Sequence, residues 1–290
     1  MKKSSPLSTN PAVLSRPTTI SGSKIIRNIF VSIAGLTAFI PFYLLILIAL
    51  KTPEGGLSAI SIFPDFAFRN FIDAWNASEM GRAIVNNSII TVGAVSLLVF
   101  LASMAGYTIA RFRTRLNKTI FYLFLVCMMI PGIINTVPLY TLMIKLHGIN
   151  TYWSMICVLS VNALPFAVFL FTGFIRALPV SMEESALIDG CSRFMSYWRI
   201  VMPLIKPVTA SVVILQGLGM WNNYAQAVFF LQDKSHRTIP LAISLFFQQY
   251  GANWPVMAAA ACIGLAPVVT AFLIFQRYFI QGITTGAVKG

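Results

Sequence analysis

The residues best placed to do chemistry lie between Glu183 and Pro203, in the run EESALIDGCSRFMSYWRIVMP. Three of the chain's eight acidic residues, Glu183, Glu184 and Asp189, fall in its first seven positions. No metal-ligand cluster and no nucleophile–base pair accompanies them, so no catalytic residue and no metal site is expected. The histidines, His147 and His236, lie elsewhere. The cysteines, Cys127, Cys157, Cys191 and Cys262, are scattered without a Cys-x-x-Cys and read as small packing residues. What remains is the chemistry of a joint: charges to pair, apolar side chains to bury and a glycine to turn the chain.

The local pattern is a short helix, a turn and a second short helix. Pro179 closes the preceding run. Ser181 with Glu184 three residues on predicts a capping box, and Glu183 and Glu184 suit the positive end of a helix. Gly190 supplies the left-handed residue that stops it, and Ser192 is positioned to cap the next. There Phe194, Tyr197, Trp198 and Val201 fall at i, i+3, i+4 and i+7, one apolar stripe. Pro203 and Pro207 end the segment. Two readings fit this pattern, a helix lying in the headgroup layer with Arg193 and Arg199 snorkelling and a helix docked in a protein groove. Periodicity does not separate them.

The elements that must hold this joint are membrane spans. The 290-residue chain is 57% hydrophobic and 10% charged, against about 25% charged in soluble domains. Residues 28–50, 84–110, 119–144, 153–175, 208–232 and 255–276 contain no Asp, Glu, Lys or Arg. Each can cross a hydrocarbon core of about 30 Å as a helix. The sequence thus predicts an all-α membrane protein with six spans in a domain over 25–290, preceded by a polar tail, 1–24, expected to be disordered. The first apolar run is too long for a signal-peptide core and reads as a retained span.

Of the 21 Lys and Arg, fifteen fall on the side of the termini and six on the other, so both termini are expected in the cytoplasm. The net charge of +13 is mostly this bias rather than a nucleic-acid surface. No span holds an ionisable acid or base, which argues against proton coupling; sodium coupling through carbonyls stays open. The chain carries no Gly-x-x-x-x-Gly-Lys-Ser/Thr phosphate loop. Energy for uphill transport would come from a partner.

The spacing of the joint resembles the "EAA" loop of ABC-importer permeases: Glu184-Ser185-Ala186, three residues, Gly190, nine residues, then Ile200-Val201-Met202-Pro203. Ser185 and Met202 depart mildly from the family's Ala and Leu. GMWNNYAQAVFFL (219–231), TIPLAISLF (238–246), QRYFIQGITTGAVKG (276–290) and MIPGIINTVPLY (129–140) are similar to the carbohydrate-uptake branch, of the type of the maltose transporter's G subunit. The resemblance implies a type I importer permease fold in the bacterial cytoplasmic (inner) membrane, with a cytoplasmic coupling helix between spans four and five. It implies a second, homologous permease, two ATPase subunits that bind ATP and Mg, and an extracytoplasmic solute-binding protein, with no cofactor in this chain. Glu183, Glu184, Ala186, Asp189, Gly190, Ile200 and Pro203 would couple to the ATPase. Thr285 and Lys289, in the tail past Gly282, would reach the ATPase dimer, and the outer loop 232–254 would reach into the binding protein.

Polar residues in spans turn away from lipid. Asn162, Gln216, Trp221, Asn222, Asn223 and Tyr224 are therefore candidates for a substrate path. Amides and an aromatic face suit a sugar, while the same residues equally serve helix–helix bonding or the outer aromatic belt. Gly217 and Gly219 suggest close helix approach or bending; Pro131-Gly132, Pro165 and Pro267 suggest bends. The alternatives are an importer permease for another solute and a sodium-coupled carrier, which would need no coupling loop.

Overall fold

The computed structural model describes residues 22–52, 63–248 and 253–287, with side chains over 26–52, 63–247 and 253–274. The proposed tail lies outside it but for its last residues, which begin the first helix. The chain divides into two compact units, Met1–Leu44 and Leu45–Gly290. The described part of the first is most of α1 (Gly22–Ala49), whose apolar side chains are exposed from Ile26 through Phe42.

After the last residues of α1, the second unit runs α2 (Arg69–Ala77), α3 (Met80–Arg111), α4 (Arg115–Met128), a 3₁₀ turn (Gly132–Asn135) and α5 (Thr136–Lys145). It continues with α6 (Tyr152–Ala177), α7 (Ser181–Ile188), α8 (Arg193–Ser196), a π-helical turn (Tyr197–Val201), α9 (Met202–Leu204) and α10 (Lys206–Trp221). Last come α11 (Ala227–Phe230), a 3₁₀ turn (Lys234–His236), α12 (Ile239–Gln248) and α13 (Trp254–Ala287). Among the described residues, α1, α3, α6 and α13 are long and apolar enough to cross a membrane, and the count reaches six if each of two bent helix pairs is one span.

The bent pairs correct two expected spans. The run 119–144 is not continuous, because α4 and the 3₁₀–α5 segment meet at 97°. Pro131 lacks an N–H and disfavours helical backbone at Ile130, so the helix ends at Met128. The run 208–232 is not one helix either. α10 stops at Trp221, where the Asn222 amide turns back to the Leu218 carbonyl (3.0 Å) and Asn223 accepts from the Gln226 N–H (3.1 Å). At its other end α10 meets Arg193–Leu204 at 71°. By contrast, α6 and α13 run unbroken through Pro165 and Pro267.

The core is built on α3 and α6, with α10 packed against both. Backbones come close where α3 carries no side chain. A Cβ on Gly93 would stand 2.7 Å from Ile156 Cδ1, and one on Gly106 would stand 2.7 Å from Phe171 Cβ and 3.1 Å from the Thr172 nitrogen. Ser160 adds a bond to the Ala94 carbonyl (2.9 Å). Small residues and such hydrogen bonds replace the hydrophobic drive that helices lack inside lipid. Gly217 and Gly219 are not the tight points: a Cβ on the first would make ordinary contact with Val95, and on the second would meet open space. A second core joins α2, α3, α12 and α13 through Ala74, Met80, Phe246 and Ala259.

Candidate functional site

The segment between α6 and α10 is fastened to one stripe of α3. Ser103, Tyr107 and Arg111 are spaced four apart and share a helix face. The Arg111 Nε–H donates to Glu183 Oε1 at 2.6 Å, and both side chains are only 9% exposed. The Tyr107 hydroxyl donates to Glu183 Oε2 (3.0 Å). Arg111 Nη2 also reaches the Leu178 carbonyl (3.3 Å). Further along the segment the Tyr197 hydroxyl pairs with Ser103 Oγ (2.7 Å), and its ring centroid lies 5.1 Å from that of Tyr107. A charge-assisted pair with every carboxylate oxygen engaged is the arrangement that tolerates burial.

The turn between the short helices forms as its glycine predicts. Gly190 has φ +85°, the Gly190 N–H donates to Leu187 O (3.2 Å) and the Cys191 N–H to Ala186 O (2.9 Å). This paired closure requires a left-handed residue. A Cβ there would meet nothing within 4 Å, so conformation rather than space demands glycine. Ser192 caps α8 as expected, accepting from the Met195 N–H (3.2 Å).

Two expectations are corrected. No capping box forms: Val180 occupies the cap position, Ser181 is already helical, and its carbonyl accepts from Ser185 Oγ (2.9 Å). The apolar stripe splits in two. Tyr197 and Val201 are buried, while Phe194 and Trp198 are exposed and stack edge to face at 6.2 Å. Pro203 offers no N–H to the Arg199 carbonyl, and the chain winds as a π turn over Tyr197–Val201. The wider turn takes residues three apart off a common face.

The seven proposed coupling residues therefore divide. Glu183 and Ala186 are buried and fasten the segment. Glu184, Asp189, Gly190 and Pro203 are exposed and Ile200 is half-buried. Ile188 is 86% exposed and Phe194 66%. A cleft of about 260 Å³ lies over the Glu183–Arg111 pair, bordered by Glu184, Arg113, Arg176 and Arg193. The result is a knob of exposed apolar and acidic groups on a buried ionic fastening.

The family described as "binding-protein-dependent transport system inner membrane component" matches residues 98–285. The chain belongs to that family. It is similar to the melibiose/raffinose/stachyose import permease protein MelC of Bacillus subtilis, 39% identical over 267 residues that cover 91% of this chain and 96% of that protein. It is similar also to the arabinooligosaccharides transport system permease protein AraQ of the same organism, 32% identical over 92% of this chain and 96% of that one. A chain from the crystal structure of a bacterial ABC transporter involved in the import of the acidic polysaccharide alginate shares the fold. Its TM-score is 0.76 at 18% identity, covering 92% of this chain and all of that one. The protein is thus a permease component of a binding-protein-dependent transport system in the inner membrane, helical throughout its described regular elements and with several helices long enough to span.

The permease gathers four of the six substrate-path candidates at the broken end of α10. Trp221 is half-buried against the second core, and its carbonyl accepts from Asn87 Nδ2 (3.1 Å). Asn222 is exposed, Asn223 bonds through both amide atoms to Gln226, and Tyr224 is exposed. Gln216 sits half-buried within α10, while Asn162 lies exposed on α6 without a hydrogen bond to the others. Of the outer loop 232–254, Ile239, Leu241, Ala242 and Phe246 are buried inside the permease, so that part does not project outward. The side chain of Thr285 and the whole of Lys289 lie outside the described residues.

Several residues escaped the sequence reading. On α3, Asn86 donates to the carbonyls of Ser235 and Arg237 (both 2.9 Å) and accepts from the Tyr152 hydroxyl (2.7 Å). Asn150, with φ 60°, accepts from the N–H groups of Gln232 (2.6 Å) and Asp233 (2.8 Å). The signal was present: Asn86-Asn87, Ser103 and Tyr107 are polar residues of a span, which the rule used for α10 would have picked out.

Proposed function

We propose that this permease is one of two different membrane subunits of an ATP-driven importer for a sugar or oligosaccharide. The observation that carries this reading is the exposed knob around Glu184, Ile188 and Phe194 held on the buried Glu183–Arg111–Tyr107 fastening. A surface meant to transmit force needs an outward face that a partner can grip and an inward face that does not slip. The partner would be an ATPase dimer that binds ATP and Mg, with both permease termini on its side of the membrane. A solute-binding protein would dock on the opposite face. The carbohydrate assignment draws on the melibiose/raffinose/stachyose and arabinooligosaccharide relatives and on the amide and aromatic groups at Trp221–Tyr224.

The test is uptake into vesicles bearing the full assembly. With ATP supplied on the ATPase side, oligosaccharide uptake should persist when the proton and sodium gradients are collapsed and stop when the ATPase is omitted. Thousandfold accumulation takes about 4 kcal/mol, which a passive channel does not sustain. Accumulation by this chain alone on a sodium gradient refutes the reading.

A further inference from the structure

We propose that the cleft where α3 ends, α4 begins and α6 ends is a binding site for the phosphate headgroup of an anionic phospholipid of the cytoplasmic leaflet. The cleft measures about 360 Å³, and its lining includes Arg113, Asn117, Lys118, Phe121, Tyr122 and Arg176. No carboxylate lines it. Arg113, Lys118 and Arg176 take part in none of the ion pairs among the described residues.

Two of the three cations lie over aromatic rings. The Arg176 guanidinium lies 4.9 Å from the Phe121 ring centroid and the Lys118 ammonium 5.9 Å from that of Tyr122. The first turn of α4, capped by Thr114, adds the positive end of a fourteen-residue helix to the same cleft. Three like charges around one cleft repel, and an anion with several oxygens neutralises them together.

A lipid is favoured over a free anion by what flanks the cations. Leu116, Tyr122, Leu123 and Val126 stand exposed along α4, an apolar wall on which an acyl chain lies while its phosphate sits among the arginines. Basic clefts between spans at the cytoplasmic surface recognise headgroups in this way. The proposal borrows from the functional reading only the cytoplasmic side of this edge. Binding is measured without transport, so the two can fail separately.

The experiment is native mass spectrometry of the assembled transporter in detergent, titrated with phosphatidylglycerol, with phosphatidylcholine of the same chains, and with inorganic phosphate. The wild type should retain phosphatidylglycerol in preference to phosphatidylcholine. Arg113→Gln with Arg176→Gln should weaken that retention roughly thirtyfold, at about fivefold per basic residue near an anionic headgroup. If the double variant does not assemble, Lys118→Gln alone should show about a fivefold loss. Lys206→Gln, exposed and outside the cleft, should change nothing. Equal retention of the two lipids by the wild type overturns the proposal, as does an equal loss in Lys206→Gln. Full displacement of the lipid by millimolar inorganic phosphate assigns the cleft to a free anion instead and also overturns it.

Discussion

Replacing Glu183 by alanine leaves Arg111 charged, 9% exposed and without its carboxylate. At the observed 2.6 Å the attraction is about 6 kcal/mol for an effective dielectric of about 20. Desolvation of the two ions offsets most of that, yet removing one partner of such a buried pair costs about 3–5 kcal/mol, because the remaining ion stays buried. The fastening of α7 should weaken by that amount. Amide exchange over 181–191, where the Asp189, Gly190 and Cys191 N–H groups are bonded into α7, should accelerate by two to nearly four orders of magnitude, up to the unprotected limit. Substrate-stimulated ATPase of the assembly should fall with it. The triple variant Tyr107→Phe, Arg111→Met, Glu183→Leu replaces the network by apolar groups of similar size. Such replacement is near neutral or stabilising and leaves no orphaned hydroxyl, so protection and coupling should return. Exchange and ATPase in Glu183→Ala within twofold of wild type would refute the claim that this pair fastens the segment. Recovery of protection without recovery of ATPase would show that the charges do more than fasten.

Gly190→Pro cannot adopt φ +85° and loses the bond to Leu187 O, so the permease should insert normally yet show no transport or stimulated ATPase, read by uptake assays beside membrane quantification. Gly106→Ala drives a Cβ to 2.7 Å from Phe171 Cβ and should cost about 1–3 kcal/mol, whereas Gly219→Ala, facing open space, should be neutral or gain up to about 1 kcal/mol; thermal unfolding in detergent compares them. Cysteines at Asn76 and His236, on a background without the native thiols, should label with an impermeant reagent from outside and cysteines at Arg113 and Arg193 should not; outside labelling at 113 reverses the orientation. Trp221→Ala and Asn222→Ala should reduce transport more than assembly, and normal uptake in both would move the substrate path to the sister permease.

That the chain carries several membrane-length apolar helices and that it turns at Gly190 were legible because each rests on a local rule. Charge-free runs of more than twenty residues have few alternatives to a membrane helix, and Gly190 occupies a position where only a left-handed residue completes the closure. Hydropathy was blind to where spans break. The 119–144 run is apolar throughout, yet Pro131 ends its helix, while Pro165 and Pro267 sit inside continuous helices. Proline removes the same N–H in each case, and only the surroundings decide whether the chain bends or repairs the loss. The role of Glu183 was hidden for a different reason. Its partners Tyr107 and Arg111 lie more than seventy residues earlier, so the contact is set by how α3 packs on α6. Read alone, Glu183 and Glu184 are two similar acids at the start of one helix; packing makes one an internal fastening and leaves the other outside.

The position of α3 links the two halves of the proposed mechanism. Its 32 residues span roughly 48 Å at 1.5 Å per residue, enough to cross the membrane. At one end Ser103, Tyr107 and Arg111 grip the segment that would meet the ATPase. Toward the other, Asn87 holds the carbonyl at the broken end of α10 and Asn86 holds the carbonyls of Ser235 and Arg237. α10 itself joins the same two places, since the segment fastened by Glu183 leads into Lys206 and the helix ends at Trp221. The bend between Leu204 and Lys206 and the π turn at Tyr197–Val201 lie in that second connection, whereas α3 is unbroken. Under the proposed reading, a push on the knob therefore reaches Trp221–Tyr224 by a continuous strut and by a jointed one. A strut and a jointed arm that share both ends cannot move alike, and the difference between them is taken up at the joint, the bend between Leu204 and Lys206 through which α10 carries the push toward Trp221–Tyr224.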